Sequence, residues 1–363
     1  MRREDGFALP MTIFVLAMVT IMLSAVFVRV QMDRRVAESS GDVVNALAVA
    51  ESGLQTYLGT VNFDACYRAI RPLDGDSTRI NVNGGYAWVV PHVIQKPADT
   101  LLPWKYVVRS TGYLVDPTQG SDPQAVRTVA QFAYWQRNSM EVLAAFTAAN
   151  GLVQMASSSG AFYGEDVTGW WLPGCEDPNL PALRVPNGQR PNNLSRYTLN
   201  GTSPRVREGG SGKWVADLTK IDWVESITGG IEPDYTSFPL GSMDFGVTII
   251  EGDLNINFGS GWGMGSGILI VTEDLDVNGS SWFYWLGVVL VGGEIEWDTY
   301  ANYVRGAVVS GLYEQTGRNA DVGDVDGNYL YVYHDSYYVR RALASLAGFA
   351  PMTNTWIDNW ASY

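Results

Sequence analysis

The chain has 363 residues, with 38 acidic against 24 basic side chains and a formal net charge of −14. That balance excludes a general nucleic-acid binder, since neutralising phosphates takes Lys and Arg in excess. The length, less any N-terminal stem, suffices for one large or two smaller domains with sizeable cores.

Residues Gly6 to Val28, GFALPMTIFVLAMVTIMLSAVFV, carry no charge and follow the polar leader MRRED. A helix crosses the hydrocarbon layer with about 20 apolar residues at ~1.5 Å rise each, so this run is long enough to span a membrane. A secretory signal would have an apolar region of only roughly 7–15 residues, although Leu23-Ser24-Ala25 offers a weak cleavage site. A plain signal anchor fits the length, with Arg2 and Arg3 holding that end in the cytoplasm. Beyond the run, Val36, Val43, Leu47, Ala50, Leu54 and Tyr57 recur at helical spacing as an amphipathic stripe, with Gly41 and Gly53 as weak points. Together the two stretches predict one helix of about 50 residues, roughly 75 Å long.

Gly6-Phe7, placed after a charged leader and at the head of an apolar run, resembles the class III leader of type IV prepilins and pseudopilins. The segment AVAESGLQTYL at 48–58 is similar to the AAEAGL segment of PilX-like minor pilins. The resemblance implies that a prepilin peptidase cuts after Gly6 and that Phe7 is then N-methylated. It also implies that Phe7, Leu9, Met11, Phe14 and Leu16 pack against the helices of other major and minor pilins. The chain would first sit in the inner membrane as a single-pass protein with its head outside the cytoplasm, then join an extracellular fibre. Major pilins carry a Glu at the fifth mature position, where this chain has Met11. An unpaired charge there would be costly in an apolar fibre core, so Met11 suits a minor subunit at or near the tip. Two alternatives belong to other classes: a K-type minor pseudopilin of type II secretion, and a membrane-anchored adhesin or glycan-binding protein.

The expected fold class is α+β: the long helix on an antiparallel pilin-type sheet, then a mainly β distal domain containing a short parallel β-solenoid. The divisions read as leader 1–6, transmembrane and stalk helix 7–60, sheet 61–140, an irregular region 141–240, repeats 241–340 and a C-terminal cap 341–363. Arg79 to Ile94, Trp104 to Val115 and Val126 to Trp135 read as strands of a meander, punctuated by Gly, Pro and Asp. Met140 to Met155 fits a short helix or a strand entry, and Ser157 to Pro239 is dense in Gly, Pro, Asn and Ser. That region carries a loose basic cluster, Arg184, Arg190, Arg196, Arg205, Arg207 and Lys213, which reads as a solvated face rather than a polyanion site.

Four similar segments begin at Gly246, Gly267, Gly287 and Gly306, spaced by 21, 20 and 19 residues. Such a period belongs to stacked strand coils, each coil burying what it cannot bury alone. The pattern is similar to the distal repeats of large PilX-like minor pilins. Tyr338 to Leu346 reads as a short helix that would cap the open end of the stack.

Cys66 and Cys175 permit one disulfide outside the cytoplasm, although the sequence does not show that they meet. The histidines, His92 and His334, lie far apart with no cysteine nearby, as packing or surface residues do. Asp324, Asp326 and Asn328 resemble part of a calcium loop, but no Glu follows Gly327 where such a loop needs one, and an Asp/Gly-rich turn is the plainer reading. Trp262, Trp282, Tyr284, Trp285, Trp297, Tyr300 and Tyr303 crowd the repeats, to be buried in the core, against a neighbour, or against a surface glycan. With no Gly-x-Ser-x-Gly elbow, His-Glu-x-x-His or P-loop, the sequence predicts no enzyme and no cofactor.

Overall fold

The computed structural model describes residues 8–97, 103–115, 122–136, 142–154, 160–191, 194–209, 232–257, 262–312, 323–324 and 330–359. Helix α1 runs unbroken from Ala8 to Leu58. Pro10 sits in its first turn, where amides have no helical partner.

Four antiparallel strands follow: β1 (Thr78–Val82), β2 (Gly85–Gln95), β3 (Trp104–Leu114) and β4 (Ala125–Gln136). The segment expected as one strand from Arg79 to Ile94 is a hairpin, because Asn83-Gly84 turns the chain with Gly84 at φ +84°. Tyr106 and Val108 of β3 alternate inward with Ser110, as a half-buried strand requires.

The helix meets this sheet through its smallest residues. Ala46, Val49, Ala50, Leu54 and Leu58 are buried, whereas Val36 and Val43 are 69% and 37% exposed. The contact therefore begins later than the stripe predicted, on a face chosen by close approach rather than by side-chain size. A Cβ at Gly112 would run into the backbone of Ala46 and Ala50, and one at Gly53 into Ala87. Ser110 Oγ donates to the Ala50 carbonyl at 2.7 Å across the same seam. Gly53, expected as a weak point, is thus what lets the helix dock.

Six short strands come next: β5 (Phe146–Ala148), β6 (Leu152–Gln154), β7 (Gly160–Tyr163), β8 (Leu183–Val185), β9 (Tyr197–Asn200) and β10 (Val206–Glu208). Then follow β11 (Val247–Ile250), β12 (Leu254–Ile256), β13 (Trp262–Val271), β14 (Leu275–Val291), β15 (Ile295–Ser310), β16 (Gly323–Asp324) and β17 (Leu330–His334). Among the described residues these thirteen strands form one parallel sheet whose main path is β10-β8-β5-β15-β14-β13-β11. Long strands bend at Gly267, Gly287 and Gly306, which lie in register, so one strand serves two columns of the stack.

The described strands within 141–240, a region expected to be separate and irregular, extend the parallel sheet: β5 pairs with the end of β15, β6 with β16 and β7 with β17. Strands of three or four residues between Gly- and Pro-rich turns show too few alternations for periodicity to reveal them. The stack is built from two stretches of chain, and the last coil wound lies beside the first.

One column is buried on both sides. Leu269, Val271, Val289 and Val308 point into the interior with Phe146, Phe283, Trp285 and Trp297. Ile268, Ile270, Val288 and Val309 point outward, beneath Val339, Ala342 and Leu343. This explains the continuous I-L-I-V runs. The covering residues belong to α2 (Ser336–Ala342) and the turn after it. The helix lies along the side of the stack rather than on its end, and β18 (Gly348–Asp358) pairs with the free edge of β4. The C-terminal segment expected as a cap instead completes the first sheet, drawn there by Phe349, whose ring packs on Tyr106 and Trp135.

Candidate functional site

The first candidate is the projecting half of α1. Its segment up to Val28 is free of charge, and Met11, Phe14 and Leu16 are 61%, 61% and 66% exposed. Thr20 and Ser24 satisfy their hydroxyls on the carbonyls of Leu16 and Thr20, each at 2.8 Å. Polar side chains that close back on the helix suit an apolar surrounding. The helix is long and apolar enough to cross a membrane. Leu9 lies in it, whereas Gly6 and Phe7 fall outside the described residues.

The second is the neck between the antiparallel sheet and the stack. Cys66 and Cys175 are joined in a disulfide, with Cα atoms 5.2 Å apart. Arg340 of α2 donates to the carbonyls of Cys66 (2.8 Å) and Cys175 (2.5 Å) and to Asp177 (2.6 Å). A cleft of about 350 Å³ opens beside it, lined by Phe63, Tyr67, Arg68, Arg71 and Arg340.

Behind Arg340 lies a buried polar network. Asp335, fully buried, accepts from Arg305 at 2.7 Å and from Thr168 Oγ1 at 2.7 Å. It also caps α2 through the Tyr338 amide. Asp166 accepts from the backbone N–H groups of Thr168, Asp177 and Ser336. Burial pushes the Asp166 carboxyl up, but the hydrogen bonds from Ser336 and Asp177 outweigh it and hold the group below the ordinary carboxylate range. Burial lowers His334 and keeps its imidazole neutral, against the pull of the nearby carboxylates. Asp166, Asp335 and Arg305 are partnered within the network, whereas His334 Nδ1 is buried without a hydrogen-bond partner, and the network ties the two modules together. Sequence reasoning missed Arg340, Asp335 and Asp166, since single charged residues far apart in sequence give no local signal.

The third candidate is the aromatic surface of the stack. Trp285 and Trp297 are interior, but other rings form an outer ladder. Trp262 stacks on Trp282 at 5.0 Å, Tyr303 on Tyr331 at 4.9 Å and Tyr163 on Tyr333 at 4.8 Å, each within 12° of parallel. Rings so stacked cover one another's faces and show their edges to solvent. Sugar stacking needs exposed faces; Trp262, Trp170 and Trp171 are 65%, 62% and 42% exposed, and Trp356 and Trp88 of the antiparallel sheet are 44% and 39% exposed.

Of the calcium candidates, Asp324 sits on β16 opposite Glu296, while Asp326 and Asn328 lie outside the described residues. Among the described residues no group of three His, Cys, Asp or Glu is placed to hold a metal ion. Arg190, Arg196, Arg205 and Arg207 are exposed at the β8–β10 end, Arg184 is buried in β8, and Lys213 lies outside the described residues.

No protein-family model matches the sequence, and no curated protein does. Among solved structures, the chain is similar to the competence-associated pilin ComZ from Thermus thermophilus, at 12% identity over 87% of this chain and 97% of that one. The TM-score is 0.25, too low for the likeness to bear on fold or function.

Proposed function

We propose that the chain is a minor type IV pilin-like subunit that assembles through α1 and carries a β-solenoid head, at or near the tip of the fibre. The observation that supports this is the division of α1. Its last four turns are clasped by the antiparallel sheet, and the stretch from Met11 to Asn45 projects with its large apolar side chains exposed. Burying each such side chain contributes about 1.5–3 kcal/mol, so a lone helix in water is strongly disfavoured and a membrane or a bundle of like helices is its stable setting. In this reading a prepilin peptidase releases the leader after Gly6, Phe7 is N-methylated, and the helix moves from the inner membrane into the fibre core. Met11 places no charge there that would need a partner. The head acts by display or by priming assembly, without catalysis and without a cofactor.

Mass spectrometry of the protein from membranes with and without the peptidase tests the reading. A chain beginning at N-methylated Phe7 only when the peptidase is present is expected. A chain that retains Met1 to Gly6, or one cut near Ala25, would leave an anchored or secreted β-rich protein instead.

A further inference from the structure

Charge is sorted along the stack. Residues 178–207, which supply β8, β9 and most of β10, contain five arginines and no acidic residue. Residues 232–304, which supply β11 to β14 and much of β15, contain eleven carboxylates and no Lys, Arg or His. The sheet order runs from β10 at one end, through β15 in the middle, to β11 at the other. Arg190, Arg196, Arg205 and Arg207 are exposed at the first end, with Glu208 3.9 Å from Arg190. Glu232, Asp234, Asp244, Glu251 and Asp253 are exposed at the second.

Six interstrand steps of about 4.8 Å separate β10 from β11, roughly 29 Å in all. That is about three Debye lengths at 0.1 M salt, so the two ends scarcely neutralise each other within one molecule. A second molecule can bring them together. We propose that two copies of this chain dock head to tail, the arginine end of one stack against the carboxylate end of the next. A contact between two different surfaces joins copies into rings where its rotation closes and into filaments where it does not. Among the described residues no strand pairs with the outer edge of β10. A polyanion such as nucleic acid is the rival occupant of this end, and the measurement below tells the two apart. The docking does not depend on α1, whose contacts are apolar and persist in high salt.

The test uses the full chain in neutral detergent, followed by sedimentation velocity at low and high salt. Two variants reverse one end each at exposed positions: Arg205→Glu with Arg207→Glu, and Glu251→Lys with Asp253→Lys. Circular dichroism checks that both are folded. Wild type is expected to show a salt-sensitive association, and each variant alone to lose it by about tenfold or more in affinity. An equimolar mixture is expected to regain a single contact per pair, since one variant keeps its arginine end intact and the other its carboxylate end. Association indifferent to both reversals, or a mixture that fails to recover, overturns the proposal. So does tight binding of duplex DNA by the wild type that Arg205→Glu with Arg207→Glu abolishes, since the arginine end would then serve nucleic acid.

Discussion

Gly267, Gly287 and Gly306 show how one residue type carries the stack. Their φ angles are +104°, +130° and +145°, a region L side chains rarely enter. A Cβ on each would run into the carbonyl of the glycine one coil earlier, Gly246, Gly267 and Gly287 in turn. Gly287→Ala should therefore lower stability by about 2–4 kcal/mol through backbone strain and overlap with Gly267. Denaturant unfolding of the detergent-solubilised chain measures this, and a loss below about 1 kcal/mol would mean the column yields easily. The period of these glycines was legible in the sequence. Their conformation was not, because a spacing says where coils begin and nothing about what a coil's backbone touches.

At the scale of elements, α1 divides its length between two solvents. Its existence was legible from composition, since an uncharged run followed by a 3.6-period stripe has few other folds. Its docking face was legible in part: Leu47, Ala50, Leu54 and Tyr57 of the stripe pack on the sheet, whereas Ala46 and Gly53 bury little area and count for little in a hydrophobic pattern. The projecting half has no role in holding the head, so Leu16→Asp should leave the head folded. It should cut recovery in sheared fibres by about tenfold or more, because a charge at the centre of an apolar helix costs ~2.5–3.5 kcal/mol. Comparing fibre and membrane fractions by immunoblot decides the point. Normal incorporation would take Leu16 out of the assembly surface.

The whole molecule is two sheets joined at a neck that chain connectivity alone would leave loose. Entry into the stack at β5 and exit from β17 fall side by side, and β18 then returns to β4. The disulfide closes 109 residues between these modules. Cys175→Ser should lower the stability of the chain by about 2–5 kcal/mol, read from its denaturant midpoint. An unchanged midpoint would assign the joint to Arg340 and β18 alone.

The sequence by itself determined the apolar helix, the strand-rich head and the spacing of Gly267, Gly287 and Gly306 on neighbouring strands, because each rests on local repetition. Tertiary structure decided that residues 145–208 continue the same stack, that α2 covers its side, and that Cys66 meets Cys175. Those outcomes depend on contacts between segments distant in sequence, 109 residues apart for the disulfide. Short strands and lone charged residues specify such partners only once the buried surfaces and hydrogen bonds of both segments are present together.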